Sequence, residues 1–400
     1  METCGRLDFL EKTKGDWNMA KKLDELLKKN LDPKAAKMAR IAEACAKLQA
    51  KFGKENINYL GNKKAEKTPR IPSGSMAIDR VTGGGYPLGR IIEISGGPSA
   101  GKTTACYHAI AEAQKMYPDD FCGFIDSEYS ADWSYAESLG VDTESVMISQ
   151  PDDGHDAFGI LQGMIEAGAR LVVVDSVAAM LPKEEAEEDD YAHQGMALQA
   201  RMMSKGLRKL TSIAGKHQCV VIFTNQLRDN VGVLWGDKTQ TTGGKALQYY
   251  SSIRLKFTRV GKVEEKDGEE KVATAIETKV ESVKNKTYRP YLKDKFTVVF
   301  GKGIDNDAGI LDTAISEGII KKKGGWYAID GSNVAQGLPA LKEYLDANPS
   351  IYERIKKETL EAIKPDEDDL LTTTSVEADA MTDDEIADKV VNDDTETGEV

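Results

Sequence analysis

The chain has 400 residues, 40% of them hydrophobic and 30% charged, so it is long enough for one large domain with a substantial core and smaller appendages. Its formal net charge is −13, but residues 365–400 contain 14 acidic residues and one basic residue and account for all of this excess. The rest of the chain is neutral, and the net charge therefore does not exclude a nucleic-acid partner.

No apolar run approaches the roughly 18 residues of a membrane span, and the N-terminal segment lacks the long apolar core of a signal peptide. The five cysteines form no CxxC pair, and their spacing fits neither a disulfide framework nor a zinc site. These features predict a cytoplasmic protein that has no membrane partner.

Residues 1–32 are predicted to form a polar extension, within which Met19 is an alternative start of the chain. A helix should follow, because Asp32 suits a helix cap and Gly53 suits a helix stop. Residues 33–69 are either a helix and strand that pack on their own domain or an oligomerisation arm that docks on a neighbouring subunit. The apolar stripe of this helix consists of Ile41, Cys45, Leu48 and Phe52.

Residues 70–302 are predicted to form an α/β core. Short apolar runs rich in β-branched residues alternate with helical stretches, which indicates a mostly parallel sheet flanked by helices on both faces. Because open α/β sheets bind ligands at the carboxyl ends of their strands, the polar groups that end these runs are expected to converge on one site. The runs are residues 91–94, 121–125, 171–174 and 220–224, and they lead to Gly96, Glu128, Asp175 and Gln226.

The first of these strand ends matches the phosphate-binding pattern G-x-x-x-x-G-K-[ST], with a predicted strand before it and a predicted helix after it. Its glycines let backbone N–H groups surround phosphate oxygens, and the helix N-terminus adds partial positive charge. Lys102 is expected to reach the β- and γ-phosphates of ATP, while Thr103 and Asp175 hold Mg²⁺. Glu128 is either the general base that polarises the attacking water or an ordinary loop acid. The predicted nucleotide-binding loop is Gly96, Gly97, Pro98, Ser99, Ala100, Gly101, Lys102, Thr103 and Thr104.

The remainder of the chain predicts more sheet, a small module and a tail. Segments 252–260, 273–283 and 295–300 have the composition of strands. Residues 303–364 are predicted to form a small C-terminal α/β module. Residues 365–400 are too polar and too charged to bury a core, and they are predicted to be a disordered acidic tail.

Several motifs, in order along the chain, resemble the RecA family of bacterial recombinases. They include IPSGSMAIDRVTGGGYPLGRIIEISGGPSAGKTT (71–104), GFIDSEYSADWSYAESLGVD (123–142), LVVVDSVAAMLPKEE (171–185), IFTNQLRDNVGVLWGDKTQTTGGKAL (222–247) and SVKNK (282–286). The resemblance covers most of residues 34–364. It implies a P-loop core of the RecA type and a DNA-dependent ATPase that forms helical filaments on single-stranded DNA. Such an enzyme pairs that strand with homologous duplex DNA in recombination, repair and the SOS response to DNA damage.

The resemblance also implies roles for individual residues. Glu128 matches the family's catalytic glutamate, which favours the general base over the loop acid. Gln226 matches the switch that senses the γ-phosphate and transmits its state to the following loop. The implied contacts of ATP are Asp132 and Tyr135 at the adenine, and Lys284 and Lys286 from the neighbouring subunit.

Two segments, about 189–197 and 227–244, resemble the family's DNA-binding loops. The second is rich in glycine and threonine and also carries large apolar residues, which suits backbone contact with phosphate and wedging between bases. Met202 and Met203, at helical spacing, are predicted to pack in the core, whereas Trp235 is either a stacking platform or a loop anchor. The implied DNA contacts are Met196, Arg201, Ser204, Arg208, Arg228, Val231, Trp235, Gly243 and Gly244.

Some features depart from the family or leave its partners open. Gln248 stands where the family usually has a lysine, and residues 183–190 are more acidic than the family is there. The tail either masks basic surface or only solvates the chain. The resemblance also implies mediator proteins and a LexA-like repressor as further partners.

Two other functions compete with the recombinase. A hexameric helicase or another motor with the same core would share the P-loop and the strand acid, but not the TTGGKAL and KNK motifs in this order. A regulatory paralogue without turnover would not need the predicted catalytic set, which is intact here. That set is Lys102, Thr103, Glu128 and Asp175.

Overall fold

The computed structural model of the chain describes residues 33–54, 57, 68–183, 196–229, 239–241, 243–267 and 270–363. The predicted N-terminal extension, residues 1–32, and the predicted acidic tail, residues 365–400, lie outside these ranges. The chain divides into two compact units, residues 1–68 and residues 69–400.

Helix α1 (Pro33–Phe52) lies in the first unit. It ends at Gly53, as predicted, where the Gly53 N–H donates to the Gln49 carbonyl oxygen at 2.9 Å. The φ of Gly53 is 94°, a left-handed conformation that glycine adopts without strain. Leu48 and Phe52 of the apolar stripe are 44% and 52% exposed, so the helix presents apolar surface on which another element can pack.

The second unit is built on a ten-stranded sheet within the described residues. Its central part is parallel, in the order β5-β4-β6-β7-β3-β9. Three further strands, at 270–285, 293–299 and 303–304, extend it in antiparallel fashion beyond β9. The predicted α/β fold with a mostly parallel sheet is confirmed. The parallel strands are β3 (Ile91–Gly96), β4 (Cys122–Asp126), β5 (Val146–Ser149), β6 (Leu171–Asp175), β7 (Val220–Asp229) and β9 (Ile253–Asp267).

Helices cover both faces of this sheet, and alternate strand residues therefore enter two different cores. On β4, Phe124 joins the core beneath the helix at 102–116, whereas Ile125 joins the core beneath the helices at 154–166 and 196–217. Continuous apolar runs are the expected composition of strands that are buried on both faces. The helices of this part are α2 (Met76–Thr82), α3 (Lys102–Met116), α4 (Trp133–Ser138), α5 (Gly154–Glu166), α6 (Met196–His217) and α7 (Ala246–Tyr250).

The antiparallel extension is longer than the sequence indicates. The predicted segments 252–260 and 273–283 are the inner parts of β9 and β10, whose charged ends continue the hairpin. Strand β5 was not predicted, because it has four residues and two of its apolar side chains, Met147 and Ile148, are exposed. The other strands are β1 (Arg70–Ile71), β2 (Tyr86–Pro87), β8 (Thr239–Thr241), β10 (Glu270–Asn285), β11 (Lys293–Val299) and β12 (Gly303–Ile304).

The C-terminal module, which the structure describes over residues 303–363, contains its own hydrophobic core after β12. Leu311, Ile320, Tyr327 and Leu341 are among its buried members. The module begins where the Asp305 side chain caps α8 by accepting the N–H of Ala308 at 3.0 Å. Its elements are α8 (Asn306–Ser316), β13 (Lys321–Lys323), β14 (Trp326–Ile329), β15 (Ser332–Gln336), α9 (Leu338–Ala347) and α10 (Pro349–Ala362).

Among the described helices, none combines the length and the apolar character that crossing a membrane requires.

Candidate nucleotide site and a basic helix

Four strand ends meet at one edge of the parallel sheet, as the order of polar residues predicts. The Thr103 hydroxyl donates to Asp175 Oδ2 at 2.7 Å, which joins the start of α3 to the end of β6. Gln226 Nε2 donates to Glu128 Oε1 at 3.0 Å, which joins β7 to the loop after β4. We call Lys102, Thr103, Glu128, Asp175 and Gln226 the nucleotide edge.

The phosphate-binding loop connects β3 to α3 through backbone conformations that its glycines permit. Gly101, at the N-cap of α3, has a φ of 84°. Gly96 lies so close to β9 that a Cβ atom there would be 2.7 Å from the Phe257 carbonyl oxygen. Lys102 Nζ donates to the carbonyl oxygens of Gly96 at 3.1 Å and Gly97 at 2.9 Å, so the ammonium group lies against the loop. The N-terminus of α3 and this cation together favour an anionic ligand.

Burial governs the electrostatics of this edge. It raises the pKa of Asp175, and hydrogen bonds from the hydroxyls of Thr224 and Thr103 oppose that rise by stabilising the carboxylate. Burial also lowers the pKa of Lys102, which the nearby carboxylates of Asp175 and Glu128 oppose. Charged groups held away from water act more strongly on a ligand than the same groups in solvent.

The Thr103 hydroxyl and the Asp175 carboxylate form a donor pair that fits Mg²⁺. Within the described residues, no three His, Cys, Asp or Glu side chains cluster in a way that would hold a metal by themselves. In nucleotide-binding proteins, Mg²⁺ usually takes one or two protein ligands and completes its shell with phosphate oxygens and water.

The two residues that resemble adenine contacts lie beside the first turn of α3. Asp132 caps α4, where its carboxylate accepts the N–H of Tyr135 at 3.0 Å. The Tyr135 hydroxyl is 3.4 Å from the hydroxyl of Thr104. The Asp132 N–H donates to the Tyr107 hydroxyl at 3.1 Å, which ties α4 to α3. The predicted base contacts and phosphate contacts therefore share one wall of the site.

Lys284 is held within the sheet rather than extended into solvent. Its Nζ donates to the carbonyl oxygens of Gln248 at 2.6 Å and Tyr249 at 2.9 Å, near the end of α7. Burial, together with the positive charges of Lys286 and Arg254, lowers the pKa of Lys284 to about 7. Lys286 itself is exposed.

Sequence reasoning missed several polar partners of the nucleotide edge. The Ser176 hydroxyl donates to Glu128, and Thr224 donates to Asp175. Glu93 is fully buried in β3 and bonds to Asn225. A signal for Glu93 was present, because a charge in the middle of the apolar run IIEIS must find a partner when it is buried.

Helix α6 presents a basic surface. The sequence of this helix contains no acidic residue. Arg201 and Arg208 are exposed on it, whereas Ser204 is only 6% exposed. Met202 and Met203 are buried, which confirms the prediction that they pack in the core.

Gly243 and Gly244 both adopt left-handed conformations, with φ of 87° and 72°. A Cβ atom on Gly243 would lie 2.7 Å from a methyl group of Val177, so this turn packs closely against the segment after β6. The other predicted DNA contacts, namely the side chains of Met196 and Arg228 together with Val231 and Trp235, lie outside the described part of the chain.

Comparisons with known proteins agree with this geometry. The profile of the RecA N-terminal domain matches residues 39–305, and that of the RecA C-terminal domain matches residues 308–364. The chain is 41% identical over 324 residues to Protein RecA of Chloroherpeton thalassium, covering 80% of this chain and 89% of that protein. It is 41% identical over 323 residues to Protein RecA of a Nocardioides species, covering 80% and 90%. It is 40% identical over 346 residues to Protein RecA of Fusobacterium nucleatum, covering 86% and 90%.

These matches span both the ATPase core and the module, at an identity far above what a shared fold alone requires. Similarity to the RecA family implies ATP binding, single-stranded DNA binding and filament formation. The chain belongs to the RecA family, the DNA-dependent ATPases that carry out homologous pairing in recombination and DNA repair.

Proposed function

We propose that the nucleotide edge is the site at which this recombinase hydrolyses ATP. The observation that carries the proposal is the meeting of Lys102, Thr103, Glu128, Asp175 and Gln226 at one point of the sheet. Lys102 and the N–H groups of the loop 96–104 hold the β- and γ-phosphates. Asp132 and Tyr135 contact the adenine.

Thr103 and Asp175 hold Mg²⁺ at this edge, where the ion would neutralise charge that develops on the phosphates. The hydroxyl of Thr103 now donates to Asp175, so both groups already face the same point. Asp175 contributes its carboxylate from the end of a rigid, buried strand. Its position therefore does not depend on a loop.

Glu128 orients and polarises the attacking water, and Gln226 reports the presence of the γ-phosphate. The hydrogen bond between these two side chains supports a direct link between hydrolysis and the state of β7. Since β7 leads into the segment 227–244, a change at Gln226 reaches the predicted DNA-binding loop through the backbone.

The contacts with single-stranded DNA are proposed to come from α6 and the two loops that flank it. Arg201 and Arg208 contact phosphates, while Gly243 and Gly244 bring backbone N–H groups close to the strand. Ser204, Arg228, Met196, Val231 and Trp235 complete the proposed set. Phosphate contacts position the strand without reading its sequence, so binding is sequence-tolerant and weakens as salt rises.

Assembly is proposed to complete the site. Lys284 and Lys286 of one subunit reach the ATP of its neighbour, and residues 33–69 dock as an arm. The division at about residue 303 into an ATPase core and a C-terminal module is supported by the separate cores and by the end of one family profile at residue 305. The four described cysteines are free, which suits the reducing cytoplasm that we propose as its compartment.

The test is ATP hydrolysis by the purified protein with and without single-stranded DNA, beside Glu128→Gln. We expect DNA to stimulate turnover and the variant to lose roughly 100-fold or more in kcat while still binding ATP, because the amide cannot accept a proton. Glu144→Gln, which changes an exposed carboxylate in a turn, is the matched control and should keep full activity. Fast turnover by Glu128→Gln would remove Glu128 from the mechanism.

A further inference from the structure

A buried chain of hydrogen bonds connects three strands of the sheet behind Gln226. It starts at Glu93 in the middle of β3, whose side chain is fully buried. Glu93 Oε1 accepts Asn225 Nδ2 at 3.0 Å, and Glu93 Oε2 accepts the Nε of Arg254 on β9. A buried carboxylate is costly unless it is both paired with a cation and hydrogen-bonded, and Glu93 meets both conditions.

Asn225 passes this constraint to Gln226. Its side chain is also fully buried, and its Oδ1 accepts the backbone N–H of Gln226 at 2.9 Å. Rotating the amide by half a turn would place Oδ1 against the Glu93 carboxylate and Nδ2 against the Gln226 N–H, which would break both bonds. The charge of Glu93 therefore fixes the orientation of the amide, and the amide fixes the backbone of Gln226.

The other end of the chain lies beside the interface lysines. Arg254 is paired in register with Glu93 on β3 and with Lys284 on β10. Burial and the charge of Lys286 are the main causes that lower the pKa of Lys284; the positive charge of Arg254 lowers it as well, and the negative charge of Glu93 opposes them. A shift of Arg254 is thus felt both at Lys284 and, through Glu93, at Asn225.

We propose that Glu93, Asn225 and Arg254 form a positioning relay that holds Gln226 against Glu128 and couples it to the strand that carries Lys284. The proposal rests on the functions proposed above for Gln226, Glu128 and Lys284. Glu93 and Asn225 are fully buried, and none of the three relay residues belongs to the nucleotide edge. The relay therefore acts on the rate of hydrolysis and on its stimulation by DNA, and not on ATP binding.

Asn225→Asp tests the relay, because it places a second carboxylate against Glu93. We expect kcat of the DNA-dependent ATPase to fall by between about tenfold and about a hundredfold while KM for ATP changes by less than about threefold. The double variant Glu93→Gln/Asn225→Asp exchanges donor and acceptor across the same contact. The amide introduced at position 93 donates to the carboxylate introduced at position 225, which still accepts the Gln226 N–H, so kcat should return to within about threefold of the original protein.

Ser282→Ala is the matched control, since Ser282 is fully buried on β10 and its hydroxyl has no hydrogen-bond partner among the described residues. It should leave kcat unchanged. Asn225→Ala removes both bonds without adding charge and provides the same comparison if Asn225→Asp does not fold. The melting temperature of every variant is measured as well. A general loss of stability would lower the melting temperature and also change KM, whereas loss of the relay alone lowers kcat.

Unchanged kcat in a folded Asn225 variant would overturn the relay, and so would a double variant that folds but stays as slow as Asn225→Asp. Gln226→Ala, assayed in parallel, separates this result from the proposed function. If Gln226→Ala slows hydrolysis and the Asn225 variants do not, the relay alone is wrong. If Gln226→Ala has no effect on hydrolysis, the proposed function of Gln226 is wrong, and the relay that rests on it is wrong as well.

Discussion

The nucleotide edge and the C-terminal module place their charged residues in different surroundings. At the nucleotide edge, Asp175 is buried and bonded by two threonine hydroxyls. In the module, the ion pair between Arg354 and Asp330 lies at the surface, with side chains that are 42% and 68% exposed. Charges at the edge therefore act strongly on a ligand, whereas exposed pairs of this kind contribute little to stability.

This difference indicates where each region gets its stability. The module is held by a cluster of apolar side chains and gains little from its charges. Keeping charges out of water lowers the stability of the nucleotide edge. The apolar cores on the two faces of the sheet offset this loss. Substitutions in the two regions should therefore affect different measurements.

The largest effect is expected from Lys102→Ala, because it removes the cation that faces the phosphates. We expect the DNA-dependent ATPase to lose about 10²–10³-fold in kcat/KM, the magnitude typical of one lost contact to developing charge. The variant should keep its melting temperature or raise it slightly, since a partly buried cation is removed. Steady-state hydrolysis and thermal unfolding measure the two quantities.

Lys115→Ala is the control for Lys102→Ala. Lys115 lies in the last turn of the same helix, where it pairs with Glu112 at the surface. Its replacement should leave hydrolysis unchanged. A Lys102→Ala protein that loses stability as well as activity would contradict the view that this lysine serves the ligand and not the fold.

Leu341→Ala tests the module, and its effect should fall on stability alone. Leu341 is fully buried in the module core, and truncating such a leucine costs about 2–5 kcal/mol of unfolding free energy. Because the module has its own core, affinity for a fluorescent ATP analogue should stay within about twofold of the original. Leu338→Ala, at an exposed position of the same helix, is the control. Loss of ATP binding in Leu341→Ala would show that the nucleotide edge and the module do not unfold independently.

Much of this architecture follows from local sequence. The loop 96–104 was predicted because glycine spacing, strand and helix all point to one motif, and Asp175 was predicted because it ends a fully apolar strand. Convergence of the strand ends followed from the parallel order alone.

Other features depend on contacts that no local pattern encodes. The bond between Asn225 and Glu93 joins residues 132 positions apart, and the ion pair between Arg254 and Glu93 joins residues 161 apart. Strand β5 escapes prediction because its exposed apolar residues are typical of a sheet edge and not of a core. The charged ends of β9 and β10 form strands because they pair with each other, whereas their composition favours a loop.

The smallest and sharpest test of the comparison is Asp175→Asn. Burial raises the pKa of Asp175, so the folded protein holds a proton on this group more tightly than the unfolded chain does. The favourable contribution of that raised pKa is fully present below the unfolded value, and it is lost as pH rises through the folded value. At pH 7.5, about the upper end of the usual range of maximal stability, the original protein therefore carries the cost of a buried carboxylate that the variant lacks. The variant should melt at a higher temperature there, and the difference should shrink as pH falls, although hydrolysis is lost with the proposed Mg²⁺ ligand.

The control is Glu343→Gln, which replaces an exposed carboxylate of the module. It should change neither the melting temperature nor its pH dependence. A lower melting temperature for Asp175→Asn at every pH would mean that the hydrogen bonds of Thr103 and Thr224 outweigh the burial of the charge, and that the nucleotide edge stabilises the fold as well as serving the ligand.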